Sequence, residues 1–377
     1  MKIGIITLPL HTNYGGILQA FALQKVLKEL GHEVLVIDWN YQVKLPASTR
    51  FLIYTKRAIQ RYILGQDIEI FPDRFINKQE KLKRQHTNKF IEKHIKRHVI
   101  KDISEIKEDE FDCFVVGSDQ IWRKLYNKRC PGWDNAFLGF AQGWNVKRIA
   151  YAASFGTEEW EYDEKETRIC STLANKFNAI SVRELNAVNL CKERLGVHAI
   201  HLLDPTMLFK VEDYMQLVSE TEIESHPGIL HCYILDNNKE TNEIIDYLSS
   251  AMQLTPLYTN SRVEDENAPI SERIQAPVEN WLQAFNIAEF VVTDSFHACV
   301  FSILFRKPFI VYGNKERGMA RFASLLMTFG LEERLVYSVE EANSISGKAI
   351  DWDRVHSTLE EFKAKSMEYL HANLHMS

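Results

Sequence analysis

At 377 residues the chain is longer than one hydrophobic core usually serves, since cores stop growing near roughly 250–300 residues, so two domains are expected. Hydrophobic residues at 45% and charged residues at 25% exclude a largely disordered, fibrous or membrane-embedded chain. A net charge of -6 excludes the basic footprint of a general nucleic-acid binder.

Ile3–Leu8 reads as the first strand. One lysine and a short apolar run lead straight into polar HTNYGG, which marks strand and loop rather than a secretion signal. Gly16–Leu30 carries a broad apolar helical face, and Val34–Ile37 follows as a strand; so tight a strand–helix–strand unit favours a parallel sheet. Between Arg74 and Lys101, ten Lys and Arg stand against two acids, giving +8 in this stretch. It reads either as a solvated helical insertion or as a patch for an anionic membrane surface or a diphosphate-bearing acceptor. His94 and His98 stand at i, i+4 spacing there, without the glutamate of a metalloprotease helix. Phe111–Val116, Arg148–Ala152, Ala179–Val182 and Ala199–Leu203 are further strands of the same half. After Asp204-Pro205 the alternation restarts with Ile229–Leu235, Leu254–Tyr258, Phe290–Thr293 and Phe309–Tyr312, and Trp352 to about Leu374 is helical. The fold class is therefore α/β, with two stacked domains dividing around 204–225. Six cysteines (Cys113, Cys130, Cys170, Cys191, Cys232, Cys299) without a C-x-x-C pair indicate separate thiols. No apolar run is long enough to span a bilayer, so a soluble cytoplasmic protein is expected.

The polar residues gather just past the strands. In open α/β sheets ligands bind outside the carboxyl ends of strands, where helix N-termini offer N–H groups. Asn13-Tyr14-Gly15-Gly16 is either such a loop or a tight strand–helix turn, and it matches neither a dinucleotide nor a nucleoside-triphosphate motif. Ser118, Asp119, Gln120 and Trp122 follow the FDCFVV strand. Their hydroxyl, amide and aromatic groups suit a carbohydrate, although Asp119 as a helix cap explains it equally. Arg183-Glu184 and Asp294-Ser295-Phe296-His297 each follow a strand. His297 is either a core-edge histidine or an acid/base group. Beyond Tyr312, Arg317 and Arg321 share helical i, i+4 spacing, and guanidinium forks suit carboxylate and phosphate oxygens.

GIITLPLHTNYGGILQAFALQKVLKELGHEVLVIDW (4–39), VVGSDQIW (115–122), YAASFG (151–156), SVRE (181–184), LLDPTMLF (202–209) and TDSFHACVFSILFRKPFIVYGN (293–314) together resemble the polysaccharide pyruvyl transferase family. The resemblance implies a GT-B-like pair of Rossmann-like domains facing across a cleft. Residues 1–210 would form the acceptor side, with a basic helical insertion at about 41–105; 211–350 would form the donor side and 351–377 a C-terminal helix. It also implies transfer of the enolpyruvyl carbons of phosphoenolpyruvate to a sugar diol, free or lipid-linked, in exopolysaccharide or capsule synthesis. Phosphoenolpyruvate enters as co-substrate, with no separate cofactor or metal. His297 matches the histidine of the family's Ser-x-Arg-x-His element, whereas Thr293 and Ser295 replace its serine and arginine. Donor binding accordingly falls to Arg183, Ser295, Lys315, Arg317 and Arg321. Acceptor binding falls to Asn13, Tyr14, Gly15, Gly16, Ser118, Asp119, Gln120 and Trp122. A nucleotide-sugar glycosyltransferase and a non-catalytic glycan-binding protein are the competing readings. The basic 74–101 segment would make peripheral membrane contact.

Overall fold

The structure is a computed structural model that describes residues 1–39, 42–128, 130–218, 227–313 and 318–374. The first half opens with β1 (Lys2–Ile6), α1 (Tyr14–Glu29) and β2 (Glu33–Trp39). Three helices follow, α2 (Ala47–Tyr62), α3 (Pro72–Lys83) and α4 (Gln85–His94), and lead into β3 (Arg97–Ile100). Next come β4 (Cys113–Val116), β5 (Lys147–Ala153), α5 (Glu164–Ala174), β6 (Ala179–Val182), α6 (Leu185–Leu190) and β7 (Ile200–His201). The second half runs through α7 (Val211–Met215), β8 (Ile229–Tyr233), α8 (Lys239–Met252), β9 (Thr255–Tyr258), α9 (Ile270–Arg273) and α10 (Val278–Ile287). It continues with β10 (Phe290–Thr293), α11 (Phe296–Leu304), β11 (Phe309–Tyr312), α12 (Ala320–Phe329), β12 (Leu335–Val336), α13 (Val339–Ser346) and α14 (Trp352–Leu374).

The first sheet has the order β3-β2-β1-β4-β5-β6-β7 and the second β12-β11-β10-β8-β9, with every pairing parallel. Each order reverses direction once. In the first sheet the chain steps outward from β1 through β2 to β3, then restarts at β4 on the other flank of β1. In the second, β9 lies on one flank of β8 and β10 on the other. Such a reversal leaves a crevice at the carboxyl ends of the two flanking strands, because their connections leave on opposite faces of the sheet. The architecture is two Rossmann-like α/β halves, and their two crevices adjoin one cleft.

Strands buried on both faces explain the near-continuous apolar runs Ile3–Ile6 and Phe290–Val292. α1 is apolar almost all round because it is enclosed: Ile17, Leu18, Phe21, Leu23 and Leu27 all belong to the core that it shares with the second half. Its two buried amides are satisfied. Gln19 donates to Thr7 Oγ1 (2.9 Å) and accepts from the Ser118 backbone N–H (2.8 Å), while Gln24 donates to Lys96 O (2.7 Å).

The basic segment is partly framework. Residues 97–100 form an edge strand of the first sheet, so FDCFVV gives the fourth strand in chain order rather than the third. Phe90, Ile91, Ile95 and Ile100 are core residues, and Arg97 pairs with Asp38 at 2.9 Å. His94 ends α4 whereas His98 lies in β3, so their spacing is not helical; His98 instead faces Glu110 at 3.4 Å. α14 straps the halves together. Tyr369 donates to Ala150 O (3.0 Å) in β5, and the Arg354 side chain lies against Gly330 at the end of α12. Cys113, Cys170, Cys191, Cys232 and Cys299 are buried free thiols. Among the described residues no helix is long and apolar enough to cross a membrane.

Candidate active site

The loops after β1, β4, β8 and β10 line a cleft of about 1080 Å³ between the two sheets. Asn13, Gly16, Asp119, Gln120, Ser295, Phe296, His297 and Arg321 are on its wall, joined by His11, Asn260, Arg262, Gln275 and Asp294.

His297 is the second residue of α11 and sits against the start of α1. A Cβ added to Gly15 would lie 2.0 Å from His297 Nδ1, so only glycine there leaves room for the imidazole. On its other side His297 Nε2 is 3.6 Å from Asp204 Oδ2, an ion-pair separation slightly beyond hydrogen-bond length. Asp204 is almost fully enclosed. Its Oδ1 accepts from the Thr206 backbone N–H (3.0 Å) and hydroxyl (2.7 Å), and its Oδ2 from Arg183 Nη1 (2.9 Å) and Ser118 Oγ (3.2 Å). Burial alone would raise the Asp204 pKa, but the adjacent His297 imidazole, then the charge of Arg183, reverse it and hold the carboxyl well below the usual range. The carboxylate is thus a fixed negative charge behind the imidazole, suited to orient the ring.

Arg183, expected at the donor, does not line the cleft. Its guanidinium lies beneath the Phe296 ring, 4.4 Å from the centroid, with Asp119 at 3.7 Å and Glu184 at 3.6 Å in addition to Asp204. Three carboxylates already surround this one cation, so it neutralises the cleft floor rather than offering itself to an incoming anion. Glu184 accepts from the Ser154 hydroxyl, and burial raises its pKa against the opposing pull of Arg183. Arg321 occupies the position nearer the cleft, over Phe296 and Phe322. Burial and then the neighbouring Arg183 push its pKa down to about 10, which leaves it charged at neutral pH. Lys315 and Arg317 lie outside the described residues.

The acceptor set divides. Asn13 caps α1 by accepting from Gly16 N–H (3.1 Å), and with Gly16 it faces the cleft. Asp119 holds a left-handed backbone (φ 31°), a strain that folded proteins keep mainly at functional positions. Gln120 accepts from Arg123 Nη1 (3.1 Å) and also faces the cleft. Tyr14 does not: it is fully buried and donates to Ala276 O (2.9 Å) and Thr259 O (3.3 Å), packed on Trp281. Gly15 lies beneath His297, and Ser118 is a buried support whose hydroxyl donates to Ala152 O (2.8 Å). Trp122 stacks flat on Phe137 (4.9 Å, 5°) and donates to Ala136 O (3.0 Å), so it is a core residue and not a sugar platform. Ser295, at the former arginine position, has its N–H bound to Thr293 Oγ1 (2.9 Å), while the Thr293 hydroxyl donates to Tyr233 O (2.7 Å). Asp294 accepts from the backbone N–H groups of Leu235 (2.7 Å) and Asp236 (2.8 Å), tying the loop after β8 to that after β10. Asp204 is the residue the sequence reading left out of the site; its signal was the LLDPT motif, one strand removed from Arg183. Among the described residues no group of three or more His, Cys, Asp or Glu is placed to hold a metal ion.

With this geometry in place, comparison with known proteins adds one decisive result. A profile of the polysaccharide pyruvyl transferases matches residues 13–316. The chain belongs to that family. It is 24% identical over 226 residues to general stress protein 30 of Bacillus subtilis (strain 168), a match covering 57% of this chain and 60% of that protein. Similar solved structures include a glycosyltransferase from Rickettsia africae ESF-5 (12% identity, TM-score 0.49, covering 100% of this chain and 99% of that one). A UDP-GlcNAc 2-epimerase from Neisseria meningitidis bound to UDP-GlcNAc is also similar (10% identity, TM-score 0.47, 99% of each chain). The chain spans about three fifths of the length of general stress protein 30.

Proposed function

We propose that the cleft transfers the enolpyruvyl group of phosphoenolpyruvate to two hydroxyls of a sugar, forming a cyclic ketal of a surface polysaccharide or its precursor and releasing phosphate. The observation that carries this reading is the buried Asp204 behind His297 on the cleft wall, with Arg321 on the same wall. The reaction begins by protonating the methylene carbon of the donor, which places positive character on the neighbouring carbon. A sugar hydroxyl adds there, phosphate leaves, and the second hydroxyl closes the ring. One of the two hydroxyl protons replaces the proton given to the methylene, and the other leaves with phosphate, so the sequence balances. With its Nε2–H directed at Asp204, His297 keeps Nδ1 for proton exchange. The Asp204 carboxylate fixes the orientation of the ring, and a positioned acid of this kind contributes roughly 100- to 10,000-fold.

The donor carries a carboxylate and a phosphate. Among the described lining residues, Asp119, Glu264, Asp265 and Asp294 outnumber Arg262 and Arg321. Arg262 is itself held by Asp265 (2.5 Å) and Glu272 (2.7 Å). Arg321, on the cleft wall beside Phe296 and His297, is the described cation assigned to a donor oxygen, assisted by the N–H groups opening α11. Asn13, Gly16, Asp119 and Gln120 form the adjoining part of the wall contributed by the first half, where the sugar hydroxyls bind.

The test is incubation of the full chain with phosphoenolpyruvate and candidate sugar diols, following released phosphate and the ketal carbon by NMR. Product is expected with the parent chain, and His297→Ala is expected to lose at least about 100-fold in kcat while remaining folded. Full activity of His297→Ala, or turnover of a nucleotide sugar in place of phosphoenolpyruvate, would remove the proposal.

A further inference from the structure

α2 is a 16-residue helix with no buried residue. Phe51 and Tyr62 are each 77% exposed, Ile63 74% and Leu52 68%. At 3.6 residues per turn these four share one arc with Ile59, so the exposed groups form a continuous face rather than scattered surface residues. The opposite face is anchored. The Tyr54 hydroxyl donates to Asp73 (2.7 Å) and its ring meets Phe71 edge-on (4.8 Å), while Arg61 donates to Ile68 O (3.1 Å). The apolar arc is thus held outward by specific bonds.

We propose that this face of α2 docks the protein on an anionic lipid bilayer. Residues 42–66 contain Lys44, Arg50, Lys56, Arg57 and Arg61 and no acid, in a chain whose net charge is -6. Lys56 borders the apolar arc, while Arg50, Arg57 and Arg61 leave from the anchored side, and residues 42–83 as a whole carry nine Lys and Arg against four acids. A net-positive segment bearing an exposed apolar arc suits an anionic interface, where the arc enters the acyl boundary and the charge is drawn to lipid headgroups. The same net charge argues against a second copy, since two-fold pairing would set this net-positive segment against itself. At about 24 Å long, α2 lies in the membrane plane and is too short to span it. In the basic 74–101 stretch Phe90, Ile91, Ile95 and Ile100 are buried within the protein, and its exposed apolar residues Phe75, Ile76 and Val99 are less exposed than Phe51, Leu52, Tyr62 and Ile63 of the α2 face. α3 connects α2 to the active-site rim: at its end, Lys83 O accepts from the backbone N–H of Gln275 (2.9 Å), a cleft residue. Docking through α2 therefore holds the cleft close to the bilayer surface. The inference stands apart from the reading of the cleft chemistry.

Flotation of the full chain with vesicles of phosphatidylcholine, with and without phosphatidylglycerol, tests it, alongside light-scattering mass measurement. The parent chain is expected to float only with phosphatidylglycerol. Phe51→Ser combined with Ile63→Ser, and separately Lys56→Glu, are expected to weaken binding by about tenfold or more with unchanged melting temperature. Absence of parent binding, equal binding to neutral vesicles, unchanged binding by either variant, or an α2-dependent dimer that does not bind vesicles would overturn it.

Discussion

Asp204 and Glu184 share one guanidinium yet are pushed in opposite directions. Asp204 has a depressed pKa, so the stability it contributes is present above the unfolded carboxylate value and is lost as pH falls below about 4. Glu184 is raised, so its contribution is present in acid and disappears as pH climbs through its folded value. Two variants therefore diverge. The melting-temperature deficit of Asp204→Asn is expected to shrink on acidification from pH 7 to pH 3. Glu184→Gln is expected to gain on the parent between pH 4 and pH 8. Parallel curves for the two would show that their environments are not opposed. Gly15 allows a sharper test of the imidazole's seat: Gly15→Ala inserts a methyl group 2.0 Å from Nδ1, and kcat is expected to fall about 10- to 100-fold. Unchanged kcat would mean that the ring's position does not matter. His297 was legible in the sequence because a polar run follows an apolar strand. Asp204 and the burial of Arg183 were not, since a motif cannot show which side chain is already occupied by a partner from a different loop.

At the scale of elements, α1 joins the halves. Its Tyr14 hydroxyl reaches Ala276 O and Thr259 O, and its ring packs on Trp281 and Tyr233. Removing only the hydroxyl, as Tyr14→Phe, is expected to cost about 1 kcal/mol in urea unfolding and to leave acceptor KM unchanged. A selective rise in KM without loss of stability would instead restore Tyr14 to the acceptor site. Most strands could be read from the sequence because both their faces are buried and their apolar runs are continuous. β3 could not: Arg97, His98 and Val99 remain partly or largely exposed at the sheet edge, so that edge strand reads as part of a basic stretch. Trp122 misled for a related reason, because an aromatic just past a strand looks like a binding platform until Phe137 is seen stacked on it.

The whole molecule works by bringing the two reversal points of its sheets to one cleft. The first contributes the capped start of α1 and the Ser118–Gln120 loop; the second contributes Asp294, Ser295 and His297. Alternating strands and helices announced both halves, but strand order and the meeting of two sheet edges are not written locally. They follow from contacts hundreds of residues apart, such as Tyr14 with Ala276 and Tyr369 with Ala150. The most direct measurement is calorimetric titration of the full chain with phosphoenolpyruvate and, separately, with UDP-sugars, using the parent and Arg321→Ala. The account predicts saturable phosphoenolpyruvate binding that weakens about tenfold or more in the variant, because a charged hydrogen bond is lost. Saturable binding of a UDP-sugar with no heat from phosphoenolpyruvate, or donor affinity indifferent to Arg321, would contradict it.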